Sequence, residues 1–297
     1  MNRIKTIISV AVALLYLSTN AEAQIVSPYK PDFNPPLQVN KMTLVWNDEF
    51  NYTGKPNAAN WTYENGFVRN KELQWYQPGN ANCKNGVLLI EGRKQQILNP
   101  NFTNTSDQDW TRNRPYAQYS SASIKTQGLH EFTFGRFLIR ARIDTASGSW
   151  PAIWSLGAGK IPWPSCGEID IMEFYRINHV PTILANVATG TAEAYKAKWF
   201  SEKIPLQNFI ANDKDWVKKF HIWRMDWDKD GIQLFIDDVL VNKVVATETL
   251  NSDGSNPFLQ PQYLLLNLAL GENGGDPANS KFPIKCEVDY VRVYQKK

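Results

Sequence analysis

The stretch Cys166-Gly-Glu-Ile-Asp-Ile-Met-Glu-Phe-Tyr-Arg176 decides how this 297-residue chain is read. Its apolar members, Ile169, Ile171, Met172, Phe174 and Tyr175, describe a strand buried on at least one face. Three acids, Glu168, Asp170 and Glu173, sit among them. Residues two apart on a strand point the same way, so Glu168 and Asp170 share a face. Strict alternation sends Glu173 to the other face, with Ile169 and Ile171. One extra residue, a β-bulge near Met172, returns it to the side of the other two acids. Three carboxylates on one face repel each other. A fold keeps such a cluster on an open cleft, where acids can titrate; the bland alternative is a solvated strand face. One carboxylate for an anomeric carbon and one carboxylic acid for a leaving oxygen is what glycoside hydrolysis requires.

Working outward, short strand patterns recur between Gly, Asn, Asp and Pro: Leu44 to Phe50, Val87 to Arg93, Ser121 to Thr126, Phe134 to Ile143, Phe220 to Trp227, Ile232 to Ile236, Tyr263 to Leu270 and Glu287 to Tyr294. Asn85-Gly86, Asp230-Gly231 and Asp237-Asp238 are hairpin-turn signals. Helical periodicity is missing almost everywhere. The pattern predicts an all-β sandwich or barrel in one domain, residues 41–297. Residues 24–40, with Pro28, Pro31, Pro35 and Pro36, read as an arm or linker. Residues 1–23 read as a signal peptide: Arg3 and Lys5, an apolar run from Ile7 to Leu17, then Ala21-Glu-Ala23. Bacterial export to the periplasm or beyond is expected, with no membrane span in the product, which is expected to be monomeric.

A formal net charge of +3 gives no reason to invoke nucleic acid or an anionic membrane surface. His130, His179 and His221 have no His or Cys neighbour at ligand spacing, which argues against a His-based metal site or a Ser-His-Asp triad. Cys83, Cys166 and Cys286 allow one disulfide with a thiol left over, or three buried thiols. The 11 tryptophans exceed what a core needs, and flat rings stack on the C–H faces of sugars.

Glu168-Ile-Asp-Ile-Met-Glu173, preceded by Trp150-Pro-Ala-Ile-Trp154, resembles the signature of glycoside hydrolase family 16 in its laminarinase-like, bulged branch. The resemblance runs from Leu44-Val-Trp-Asn-Asp-Glu-Phe50 to Val288-Asp-Tyr-Val-Arg-Val-Tyr294. It implies a concanavalin A-like β-jelly roll: two curved antiparallel sheets with an open concave cleft. It also implies an endo-acting, retaining hydrolase without a catalytic cofactor. Glu168 would be the nucleophile, Asp170 the assisting residue and Glu173 the acid/base. The implied substrate is a β-1,3- or mixed β-1,3/1,4-glucan, with a galactan or poly-N-acetyllactosamine-type glycan as the alternative. A lectin on the same fold is the alternative of another class, with little reason to keep all three acids.

The resemblance implies further site residues. Trp150 and Trp154 would line the cleft beside the cleaved bond. Arg69, Asn70 and Glu72, in Arg69-Asn-Lys-Glu-Leu-Gln-Trp-Tyr76, would border its non-reducing side. Many laminarinases carry a histidine on the strand after the acids; here Ile183-Leu-Ala-Asn-Val-Ala-Thr-Gly190 has none, and Asn186 is the substitute polar contact. Asn267, alone among the apolar residues of Leu264 to Leu270, either faces the cleft or is satisfied within the sheet. The segments 99–119 and 194–209 are expected to be wall loops carrying aromatics. Glu49, Asp289 and the carbonyl of Gly86 match positions where family members hold a structural calcium, with salt bridges as the alternative.

Overall fold

The structure, a computed structural model, describes residues 27–297; the expected signal peptide lies outside them. It is a sandwich of two sheets closed over one apolar core. The cleft-bearing sheet has seven strands, in the order Ala197–Pro205, Val180–Gly190, Glu168–Ile177, Ser149–Gly157, Gln262–Leu270, Ser123–Lys125 and Thr62–Tyr63, all antiparallel. The outer sheet has eleven strands centred on Gly135–Ile143 and Ile284–Gln295. It departs from pure antiparallel pairing once, where Gln74–Tyr76 runs parallel to Tyr116–Ser121. Strand alternation builds the core. Phe137, Ile139, Ala141 and Ile143 of the outer sheet meet Ile169, Ile171, Phe174, Leu264, Leu266 and Leu268 of the cleft sheet, all buried.

Each strand predicted from the sequence is present, with small shifts at the ends. Asn85-Gly86 and Asp237-Asp238 turn with both residues at positive φ, as two-residue hairpins require. The run from Leu264 to Leu270 is apolar without alternation because it is covered on both sides. Leu264, Leu266, Leu268 and Leu270 enter the core, while Tyr263 and Leu265 join Ala152 and Trp154 in a small cluster under the cleft floor.

Two expectations need correction. Residues 194–209 are not a loop: Ala197–Pro205 is the edge strand of the cleft sheet. The segment 99–119 does not wall the cleft, as none of its residues lines it. Arg114 of that segment stacks on Phe67 and Trp110 and donates to the Glu72 carbonyl at 2.9 Å, bracing the cleft from behind. All three cysteines are free, buried thiols.

The acids expected to hold calcium are engaged otherwise. Glu49 takes Arg292 at 2.7 Å, and Asp289 forms an ion pair with Arg140; both arginines are nearly fully buried. The arm completes the arrangement. Asp32 accepts from Arg292 at 2.9 Å, its backbone N–H donates to Asp289 at 3.1 Å, and Arg140 reaches the carbonyls of Ser27 and Lys30. Phe33 packs on Gly86, where a Cβ would lie 2.5 Å from its ring. Two guanidinium groups and the arm neutralise these acids, so their carboxylates are spent on ion pairs rather than left free for calcium. The ion-pair alternative describes it.

Candidate active site

The bulge lies where the sequence put it. Asp170 pairs with Asn186 and Glu173 with Leu184, so two residues, Ile171 and Met172, stand against the single Ala185, and Met172 pairs with Ile153 while Asp170 pairs with Trp154. The consecutive residues Ile171 and Met172 both point into the core. That inward pair returns Glu173 to the cleft face with Glu168 and Asp170, and all three line one cleft of about 780 Å³. Gly167, just before the motif, has φ +78°, and a Cβ there would lie 2.9 Å from Pro257 and Phe258. Only glycine fits the corner that starts the strand.

Each glutamate has its own indole donor. Trp150 Nε1–H donates to Glu173 at 2.8 Å, and Trp163 Nε1–H donates to Glu168 at 2.5 Å. Asn186 Nδ2 donates to both Asp170, at 2.9 Å, and Glu173, at 3.2 Å. Asp170 is 3 % exposed and lies between the two glutamates in sequence and on the face. Burial pushes the Glu168 carboxyl well above the ordinary range, and the Asp170 charge pushes it further. Burial and Asp170 do the same to Glu173. Asp170 itself is pushed up to about 6 by burial, against the hydrogen bonds of Asn186 and Glu168. Three carboxyls so close cannot all be ionised, and a site that holds a proton at neutral pH next to a carboxylate can run acid and base chemistry together.

To one side of the acids lies the Arg69–Tyr76 segment. Asn70 and Lys71 turn at φ 55° and 54°, which brings Arg69, Asn70 and Glu72 to the cleft. Arg69 pairs with Glu64, and its guanidinium lies 5.0 Å from the Trp154 ring centre. Glu72 accepts from Gln74 at 2.6 Å, and burial raises its carboxyl. Trp154 Nε1–H donates to Asn267 at 2.7 Å, and Asn267 donates to Tyr76 at 3.2 Å. Asn267 therefore faces the cleft and is also satisfied. The structure thus gathers Arg69, Asn70, Glu72, Trp150, Trp154, Asn186 and Asn267 with the three acids; Glu49, Gly86 and Asp289 lie elsewhere.

Sequence reasoning missed Trp163, Ser201, Lys203 and Glu64. A tryptophan between Pro162 and Pro164, directly before the acidic motif, was a readable signal for Trp163. Nothing in the sequence marks Ser201 and Lys203, which become cleft residues only when their edge strand pairs with Val180–Gly190.

The sequence pattern of glycosyl hydrolases family 16 matches residues 89–292. The chain belongs to that family. As a family 16 member it is a glycoside hydrolase. It is 34% identical over 273 residues to a β-glucanase of Rhodothermus marinus, covering 85% of each chain. It is 27% identical to a keratan-sulfate endo-1,4-β-galactosidase of Sphingobacterium multivorum, covering 85% of this chain and 55% of that one. Among solved structures, one from work on endo-acting O-glycanases by which human gut microbiota initiate mucin breakdown superposes with a TM-score of 0.79. It has 33% identity and covers 89% of this chain and 94% of that one. The fold is the expected jelly roll, with two large sheets that do not close on themselves.

Proposed function

We propose that this family 16 enzyme is an endo-acting, retaining hydrolase of β-linked polysaccharide. The observation that carries the reading is the bulged strand, which sets Glu168, Asp170 and Glu173 on one cleft face and gives each glutamate a separate indole donor. Glu168 attacks the anomeric carbon as a carboxylate. Glu173, kept protonated by burial and by Asp170, gives its proton to the leaving oxygen as the C–O bond breaks. A water then attacks the glycosyl-enzyme, Glu173 takes its proton, and Glu168 leaves as a carboxylate. Asp170 orients Glu168 and holds Asn186. Retention asks for carboxyls about 5–5.5 Å apart; the bulge supports this by bringing Glu173 back towards its partner. Endo action is supported by cleft residues on both sides of the acids, from Asn70 to Trp199.

The leading substrate is a β-1,3- or mixed β-1,3/1,4-glucan, supported by the similarity to β-glucanase. A β-galactoside chain is the second reading, favoured by Asn186 standing where the laminarinase-like pattern carries a histidine. No helix among the described residues is long and apolar enough to cross a membrane, and the leader read from residues 1–23 would take the enzyme to the periplasm or outside the cell.

The test is a product profile. The mature chain and Glu168→Gln are incubated with laminarin, mixed-linkage β-glucan, agarose, porphyran, carrageenan and a poly-N-acetyllactosamine glycan. Oligosaccharides from a glucan, absent with the variant, support the leading reading. Cleavage of a galactoside alone supports the second. Binding throughout without any cleavage would overturn the hydrolase assignment.

A further inference from the structure

The edge strand Ala197–Pro205 forms the cleft side opposite the Arg69–Glu72 segment. Through Val180–Gly190 it lies level with the catalytic acids. Ala188 pairs with both Glu168 and Trp199, Asn186 with both Asp170 and Ser201, and Leu184 with both Glu173 and Lys203. At about 4.8 Å per strand spacing, this row stands about 10 Å from the acids. That is where the first sugars on the leaving side would lie.

Three features here are unused by the mechanism: Trp199 and Lys203 on this row, and the Oδ1 atom of Asn186 on the strand between it and the acids. Trp199 lines the cleft and is 45 % exposed, although an aromatic ring of that size is ordinarily covered. Asn186 is 3 % exposed and spends both N–H groups on Asp170 and Glu173, yet its Oδ1 is buried without a partner among the described residues. A buried acceptor of that kind needs a donor. Lys203 lines the cleft and makes no ion pair among the described residues. The other cation of the lining, Arg69, is neutralised by Glu64. The remaining charges of the cleft wall are acids: Glu72, Glu168, Asp170, Glu173 and Glu272. Charge is therefore divided along the cleft, with an unpaired ammonium on the leaving side only.

We infer that this row, with Asn186 beside it, is a leaving-side subsite for a sugar that carries an anionic substituent, a sulfate ester or a carboxylate. Trp199 takes the apolar face of the ring, the Asn186 carbonyl accepts from a hydroxyl or amide N–H, and Lys203 meets the anion. The inference rests on reading the cleft as an endo-glycosidase cleft. Between the two substrate readings it selects the one whose chains carry charge, because unsubstituted β-glucans are neutral.

The experiment compares kcat/KM of the full mature enzyme and of Lys203→Ala and Lys203→Glu on matched chains. These are a desulfated poly-N-acetyllactosamine chain, the same chain bearing sulfate esters, the same chain bearing carboxylates, and neutral laminarin. The wild-type enzyme is expected to favour one charged chain over its neutral match about fivefold at low salt, as a partly exposed ion pair allows. The preference should fade in 0.5 M NaCl, vanish in Lys203→Ala and reverse in Lys203→Glu; which charged chain shows it tells sulfate from carboxylate. Equal charged-to-neutral ratios in wild type and both variants would overturn the subsite while leaving the hydrolase reading intact. Failure of the wild-type enzyme to cut any of the four chains, laminarin included, would overturn both.

Discussion

Trp163 makes the most consequential single contact at the residue scale. Its indole N–H donates to the carboxylate proposed to attack, so it stabilises the ionised form of Glu168 and opposes the upward push of burial and Asp170. Trp163→Phe keeps a ring and loses the donor. The Glu168 carboxyl should then rise further, and the acidic limb of the kcat/KM–pH profile should move to higher pH. A loss of about tenfold in kcat at neutral pH is expected from one charge-assisted hydrogen bond. An unmoved acidic limb would mean that the contact does not govern Glu168. Glu173 carries the opposite lesson. Its carboxyl is raised in the folded state, so below the unfolded-state pKa of about 4.3 it is protonated in both states and costs nothing. As pH rises through the folded pKa, the buried charge is imposed and stability falls. Glu173→Gln should therefore melt higher than wild type at pH 8 and equally at pH 4. Each 1 kcal/mol would read as about 2–4 °C for a chain of this size.

Elements matter because the site is built from their joins. The strand Ser149–Gly157 ends against the segment that carries Trp163: a Cβ on Gly157 would lie 2.3 Å from the Cys166 carbonyl oxygen. Backbone cannot yield as a flexible side chain does. Gly157→Ala should push residues 158–167 outward, separate Trp163 from Glu168 and lower kcat as Trp163→Phe does, with an added loss of thermal stability. Wild-type kinetics in a Gly157→Ala protein of lowered melting temperature would show that the two are not coupled. The bulge is the other join. It was legible in Glu-x-Asp-x-x-Glu because the acids and the apolar residues each need a consistent face, and only an extra residue reconciles both. The edge strand Ala197–Pro205 was not legible. Its sequence, Ala-Lys-Trp-Phe-Ser-Glu-Lys-Ile-Pro, is polar on a half-exposed strand, so apolar alternation is weak.

For the whole molecule, stability is shared between the common core and the outward ion-pair network that ties the arm to the outer sheet. Arg140 and Arg292 are 4 % and 2 % exposed, and each depends on an acid beside it. Asp289→Ala leaves Arg140 buried without its carboxylate, a loss of about 3–5 kcal/mol. Differential scanning calorimetry should show it as a melting point lower by about 10 °C. A chelator such as EDTA should leave the wild-type melting point unchanged, since guanidinium groups fill the positive role there. A drop with EDTA, restored by calcium, would show that the ion pairs do not replace a metal.

What the sequence determined by itself was local and periodic. Nine strands, the bulge and the cleft acids follow from alternation, turn residues and a motif confined to one strand, where neighbours in sequence are neighbours in space. The Arg69–Glu72 segment and the Trp150 and Trp154 pair were legible only by resemblance. Tertiary structure alone decided the long-range partners. Asp289 meets Arg140 across 149 positions, Asn267 meets Trp154 across 113, and Asn186 meets its two acids only through strand register. The same acid reads identically in sequence whether an arginine or a cation neutralises it, and the same lysine whether it faces solvent or a cleft. Charge compensation and burial are properties of three-dimensional neighbours, which one-dimensional periodicity does not specify.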